Sequence, residues 1–244
     1  MRTGLDHLRV VMVGTRNPLN LGAAARAMSN FGVRHLRVVN PWRIAFREAR
    51  SAVGAAELLA AAKEYATVAD AVADCALVVG TTAVGHRELQ HPLKRLEEAS
   101  RLIRRHLCNG HVALLFGSEK VGLSNRDLSH CHWLMRIPTR DEHGSMNLGQ
   151  AVAICVYELA RDGRSRSAAT KDARPSAGQL ERITKLLLEN LQASGYVEPR
   201  TAGAMEEKVR RLVRRLQLDA DDAETLLGMV RQIAWKLEKS SPPR

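Results

Sequence analysis

Two kinds of hydrophobic pattern take turns along the first two-thirds of this 244-residue chain. Short apolar runs at Leu8 to Val13, His35 to Asn40, Ala76 to Val79, His111 to Phe116 and Trp133 to Ile137 are nearly unbroken, and most stop at a glycine or proline. A strand buried on both faces reads this way, whereas a half-solvated strand would alternate. Between them lie segments with helical spacing: Gly22 to Phe31, Ala49 to Tyr65, Val68 to Asp74, the basic, amphipathic Pro92 to Leu107, and Asn147 to Ala160. The pattern predicts an α/β fold, a mostly parallel sheet with helices on both faces. Ligands in such sheets bind beyond the carboxyl ends of the strands. The loops at Gly14, Gly80, Gly117 and Pro138 occupy those ends, and polar and glycine residues gather there.

The pattern changes after residue 160. Arg161 to Gln179 is rich in Arg, Ser, Ala and Gly, with little to bury, and reads as a mobile linker. Helical spacing then resumes with Leu180, Ile183, Leu187, Leu188 and Leu191. A basic helix is expected over Ala204 to Leu216 and a third from near Ala220 to Leu237, with Asp219, Asp221 or Asp222 as its cap. The expected organisation is a domain of residues 1–162, a linker of 163–178 and a small all-α extension of 179–244.

Charge narrows the class of partner. Lys plus Arg number 37 against 26 Asp plus Glu, and the resulting +11 with a pI near 10.1 is the footprint of a polyanion binder. Aromatic residues are only 4%, so stacking of bases on many rings is not expected. Cys75, Cys108, Cys131 and Cys155 form no C-x-x-C pair, which argues against a zinc site or a disulfide framework. Cys75, Cys108 and Cys155 sit among apolar neighbours and read as buried thiols of a reducing compartment. His130 and His132 flank Cys131, but alternate along a strand start without a second cluster, so no metal is expected. No apolar run reaches membrane-spanning length and no signal-peptide core is present, so a cytoplasmic location is expected, with no membrane partner.

Three motifs carry candidate chemistry. Asn17-Pro18-Leu19-Asn20-Leu21-Gly22-Ala23-Ala24-Ala25-Arg26 bridges the first strand and first helix, with Asn20 expected as the helix cap. It is neither a P-loop nor a G-x-G-x-x-G turn. Leu115-Phe116-Gly117-Ser118-Glu119-Lys120-Val121-Gly122-Leu123-Ser124 runs from an apolar strand into a glycine turn with a carboxylate. Gly144-Ser145-Met146-Asn147-Leu148-Gly149-Gln150-Ala151 opens the last helix of the domain. Each alone has an ordinary structural explanation as a cap or tight loop.

In this order and at this spacing, the three resemble the motifs of SPOUT-superfamily methyltransferases of the SpoU/TrmH branch, over roughly residues 7 to 160. The resemblance implies a C-terminal trefoil knot, a rare exception among folds. It also implies a homodimer with the active site near the dimer interface, and S-adenosyl-L-methionine as cofactor. Its cofactor residues, carried over by motif, are Thr81, Thr82, Ala83, Phe116, Gly117, Glu119, Gly122, Ile137, Ser145, Met146 and Asn147. Its catalytic set is Arg26, Asn20, Glu119, Ser145 and Asn147. The helical extension, with its Arg-Arg-Leu-Val-Arg-Arg stretch, points within that branch to methylation of a tRNA ribose 2′-hydroxyl at the first anticodon-loop nucleotide, cytidine or uridine. RNA contacts are expected from Arg26, Arg87, Arg210, Arg211, Arg214 and Arg215, with Arg34, Arg37, Arg101, Arg104 and Arg105 as further candidates. Val84-Gly85 separates the Thr-Thr-Ala stretch from Arg87, a departure from the family pattern that weakens the case for that contact. The alternatives are an rRNA ribose methyltransferase of the same branch, a base methyltransferase of another branch, and a catalytically silent RNA-binding protein on this fold.

Such a reaction aligns a ribose oxygen with an already activated methyl group, so positioning is a large part of catalysis. Arg26 is the first candidate to assist loss of the hydroxyl proton. As a general base a guanidinium is handicapped by its high pKa. As a fixed cation beside the developing alkoxide it meets no such obstacle, and that electrostatic role is favoured.

Overall fold

The computed structural model describes residues 4–41, 54–83, 89–140, 142, 144–161 and 174–240. Seven strands form one sheet: β1 (Leu8–Val13), β2 (His35–Val39), β3 (Lys63–Tyr65), β4 (Cys75–Thr81), β5 (Leu93–Arg95), β6 (His111–Phe116) and β7 (Trp133–Arg136). Their spatial order is β3-β2-β1-β6-β4-β7-β5, and every pair is parallel. All six residues of β1 are buried, Arg9 included, in keeping with a nearly continuous apolar run.

Alternation along the strands sends side chains to two faces. Val10 and Met12 of β1, with Leu114 and Phe116 of β6, pack under α1 (Pro18–Asn30), α4 (Leu96–Leu107) and α6 (Leu148–Arg161). Val11 and Val13, with Ala113 and Leu115, pack under α3 (Val68–Val72), α5 (Asn125–Ser129) and the start of α7 (Ala177–Ala193). Among the described residues this part also holds the short α2 (Ala56–Ala60). A separate apolar cluster, including Leu180, Ile183, Val209, Val213 and Ala223, joins α7 to α8 (Ala202–Arg215) and α9 (Ala220–Ser240). Asp219 caps α9, its Oδ1 accepting the Asp222 N–H at 2.8 Å. Among the described residues no helix is long and apolar enough to cross a membrane.

Several expectations need correction. The segment predicted helical over Ala49 to Tyr65 contains, in its described part, α2 followed by the edge strand β3. Pro92 to Leu107 likewise begins as strand β5 before turning helical at Leu96. Helix α1 begins earlier than expected, because Asn17, not Asn20, caps it: its side chain accepts the Leu19 N–H at 2.9 Å and Pro18 follows at the first turn. Cys108 is exposed, since the helix ahead of it has ended; Cys75, Cys131 and Cys155 are buried. Helix α7 starts at Ala177, inside the expected linker, because Ser176 and Gln179 form a capping box. The linker's residues 163–173 and Arg87 lie outside the described residues.

Candidate active site

Four loops converge at the carboxyl edge of β4, β6 and β7. Thr81, Thr82 and Ala83 leave β4, the stretch from Phe116 to Leu123 leaves β6, Ile137 and Thr139 follow β7, and Gly144, Ser145 and Met146 lead into α6. Together they enclose a cavity of about 390 Å³. Leu123, Leu128, Met135, Leu148 and Ala151 give it apolar walls, while hydroxyls and the Glu119 carboxylate supply polar groups. The Thr81 hydroxyl donates to the Leu115 carbonyl at 2.8 Å, and the Thr82 N–H donates to the Met135 carbonyl at 3.0 Å. The β4 loop is thus fastened to both neighbouring strands.

The β6 loop needs glycine at two positions. A Cβ on Gly117 would lie 2.1 Å from the Gly122 carbonyl carbon and 2.2 Å from the Leu123 nitrogen. Gly122 has φ +68°, a conformation side chains rarely adopt, and its N–H donates to the Ser118 carbonyl at 2.9 Å. The loop therefore closes on itself and presents main chain to the cavity.

Glu119 links this loop to the first motif. Its Oε1 accepts from Asn20 Nδ2 at 3.0 Å and from the Asn17 N–H at 3.2 Å, and its Oε2 accepts the Arg16 N–H at 3.3 Å. Partial burial would raise the pKa of this carboxyl, but the hydrogen bonds from Asn20, Arg16 and Asn17 outweigh it and hold it below its ordinary value. Asn20 continues the chain of bonds: its Oδ1 accepts from Asn147 Nδ2 at 2.7 Å. Asn147 in turn caps α6, accepting the Gln150 N–H at 3.2 Å. The approach of α1 to α6 depends on small residues, since a Cβ on Gly149 would lie 2.6 Å from Ala23 Cβ.

Every residue expected to hold the cofactor lines this cavity except Asn147, which stands beside it with Asn20. Arg26 is elsewhere. It is six residues beyond Asn20, about 600° of helical turn and about 9 Å along the axis, so the two point to different sides of α1. Arg26 is exposed, with its Nη1 against Gly54, and it is not among the residues lining the cavity. Sequence reasoning missed Leu123, Leu128, Met135, Leu148 and Thr139. The first four read as ordinary core; Thr139, a polar residue just past the proline that ends β7, was the available signal.

The expected RNA contacts divide. Arg210 and Arg214 are each only 3% exposed, which removes them as RNA contacts. Arg210 makes two bonds to Glu181, from Nε at 2.9 Å and Nη2 at 2.8 Å, and a third to the Ser129 hydroxyl at 3.1 Å. Arg214 donates to the His130 carbonyl at 2.9 Å and lies 3.6 Å from Glu181. Burial, then the neighbouring Arg210, lowers its pKa to about 10. Arg37 is buried too, its guanidinium held by Asp74 and the Ala71 carbonyl, and Arg104 donates to the Glu158 carbonyl. Arg34, Arg101, Arg105 and Arg215 are exposed, and Arg211 is half-buried beside Glu207. His132 accepts the Val78 N–H at 3.1 Å, and His130 lies 3.8 Å from Glu181. Burial and the nearby arginines push both histidines down to about 3.

The model described as the SpoU rRNA Methylase family matches residues 7–157. A tRNA (cytidine/uridine-2′-O-)-methyltransferase TrmJ of Sodalis glossinidius is 33% identical, covering 98% of this chain and 95% of that protein. The protein of the same name from Yersinia pestis (strain Pestoides F) is 34% identical, covering 94% and 92%. The crystal structure of TrmJ from Z. mobilis ZM4 superposes with a TM-score of 0.80 at 31% identity, covering 93% of this chain and 98% of that one.

Proposed function

This chain belongs to the SpoU methylase family, and from that membership we propose that it methylates a ribose 2′-hydroxyl of tRNA with S-adenosyl-L-methionine. The observation that carries this reading is the convergence of the second and third motifs on one cavity, with the first bonded to its rim through Asn20, in a chain alike over nearly its whole length, C-terminal helices included, to proteins named as tRNA cytidine/uridine 2′-O-methyltransferases. That full-length likeness favours tRNA over rRNA. Within tRNA, our reading is the first nucleotide of the anticodon loop, and the cytoplasm as the place of reaction.

The cavity suits the cofactor. Its apolar walls of Leu123, Leu128, Met135, Leu148 and Ala151 fit a flat heterocycle, and the main chain of the glycine loop can meet polar edges. Thr81, Thr82, Ala83, Ile137, Ser145 and Met146 would complete the enclosure. The cofactor, when bound, supplies an electrophilic methyl group on a sulfonium. This chain's own residues then have to fix geometry and stabilise charge. Glu119 holds the start of α1 against the β6 loop, and Asn20 and Asn147 lock α1 to α6, so the rim is set before the ribose arrives.

Arg26 does not line the cavity of its own chain, and we assign it to the cavity of a second copy in a homodimer. There its guanidinium stabilises the oxygen as the proton leaves. Exposed apolar side chains near these motifs, Leu19 on α1, Val121 on the β6 loop and Tyr157 on α6, support such an interface. We read the loops after β4, β6 and β7 as the trefoil knot that the family implies.

Mass spectrometry of tRNA nucleosides after incubation with the protein and methyl-labelled cofactor tests the reading. A labelled 2′-O-methylcytidine or 2′-O-methyluridine is expected. Label on a base, or on rRNA but not tRNA, would overturn it.

A further inference from the structure

The cavity and the C-terminal helices meet at α5. This helix has five residues, too few to be stable by itself. Its Leu128 lines the cavity, as does Leu123 just before it. A capping box of Ser124 and Asp127 holds its start. Its end is held from outside the α/β part: Arg210 donates to the Ser129 hydroxyl and Arg214 to the His130 carbonyl. Both arginines belong to α8 and share Glu181 of α7, and all three residues are more than nine-tenths buried. Cys131, the next residue, presses on β4, since a Cβ on Gly80 would lie 2.8 Å from its Sγ. A shift of α5 would therefore reach two cavity walls, through Leu128 and through Gly80 next to Thr81.

We propose that Arg210, Arg214 and Glu181 are positioning residues for the cofactor cavity: by gripping Ser129 and His130 they fix α5, so that docking of the C-terminal helices sets cofactor affinity. The inference rests on the cavity being the cofactor site. Coupling of this kind is reciprocal, so a bound cofactor in turn tightens the grip on the helices.

The test uses the full chain carrying Arg214→Met, which keeps much of the volume and removes the bond to His130. Without cofactor, amide hydrogen exchange over residues 125–131 should quicken by about tenfold, and calorimetric affinity for S-adenosyl-L-methionine should fall by about tenfold. Arg214→Lys should recover part of both. Val230→Ala, at a buried position of α9 away from α5, should lower thermal stability yet leave both readouts within about twofold. A folded Arg214→Met protein with unchanged exchange and affinity overturns the proposal. So does a Val230→Ala protein that shifts both as strongly. If the unaltered protein binds no cofactor, the functional reading falls, and the exchange of residues 125–131 still decides the grip.

Discussion

Two carboxylates organise this molecule, and their surroundings differ. Glu119 lies at the exposed cavity rim and accepts neutral donors: the main-chain N–H groups of Arg16 and Asn17 and the amide of Asn20. Glu181 is buried between two guanidiniums that themselves grip α5. The first arrangement leaves a rim that water can also solvate, suited to a place where ligands come and go. The second places charges out of water, where pairing is obligatory. One joins loops for chemistry and the other joins parts of the fold.

Breaking the buried arrangement should have the largest effect on stability. Glu181→Gln takes the shared carboxylate from both arginines; Arg210 keeps its pairing with Glu206, but Arg214 stays buried without that charge, and a loss of about 3–5 kcal/mol is expected in denaturant unfolding. A loss under about 1 kcal/mol would mean that the pair contributes little and that the contrast fails. At the rim the expected pattern is inverted. Glu119→Ala should lower methyl transfer by about 100-fold, by freeing the start of α1 from the β6 loop. Its unfolding free energy should change by less than about 1 kcal/mol, because the freed N–H groups turn to water. A stability loss matching that of Glu181→Gln would erase the distinction.

The smallest effect is a pH dependence that separates the two regions. An unfolded His130 takes up a proton near 6.5, whereas the buried one resists it down to about 3. The unfolded state therefore binds more protons in that window, so stability is full above 6.5 and declines as pH falls toward 3. Glu119 has the depressed carboxylate pattern: its contribution is present above 4.5 and is lost only as pH falls through its lowered value. Between pH 7 and 5 the urea midpoint should thus fall, and fall less steeply in His130→Gln. Identical slopes would remove this histidine from the account.

The legible parts of the fold were those with two-sided burial. The strands of the central β2-β1-β6-β4-β7 stretch are mostly apolar, broken in β1 and β2 by a single arginine each, and the glycines and prolines that end most of them marked the ligand edge. The edge strands β3, Lys-Glu-Tyr, and β5, Leu-Lys-Arg, are three residues each, too short and polar to show a period. Helix α5, Asn-Arg-Asp-Leu-Ser, has no apolar stripe, although Ser124 and Asp127 already had the spacing of a capping box. The cavity was legible because glycine turns and polar residues cluster after the strands. The fate of Arg210 and Arg214 was not, since charge suggested an exposed face. Their interleaving with Val209 and Val213 was the contrary signal, an arginine beside each position of the buried stripe. The cap of α1 was misread because Asn17 and Asn20 are chemically equal candidates, and Pro18 decides between them.

The amide-to-amide bond from Asn147 to Asn20 spans 127 positions of sequence. A chain emerging from the ribosome therefore carries its first motif long before the residue that completes it. No partial product that ends before Asn147 can assemble the rim, and since domains fold as units during synthesis, competence to bind a ligand is withheld until the α/β part is essentially made.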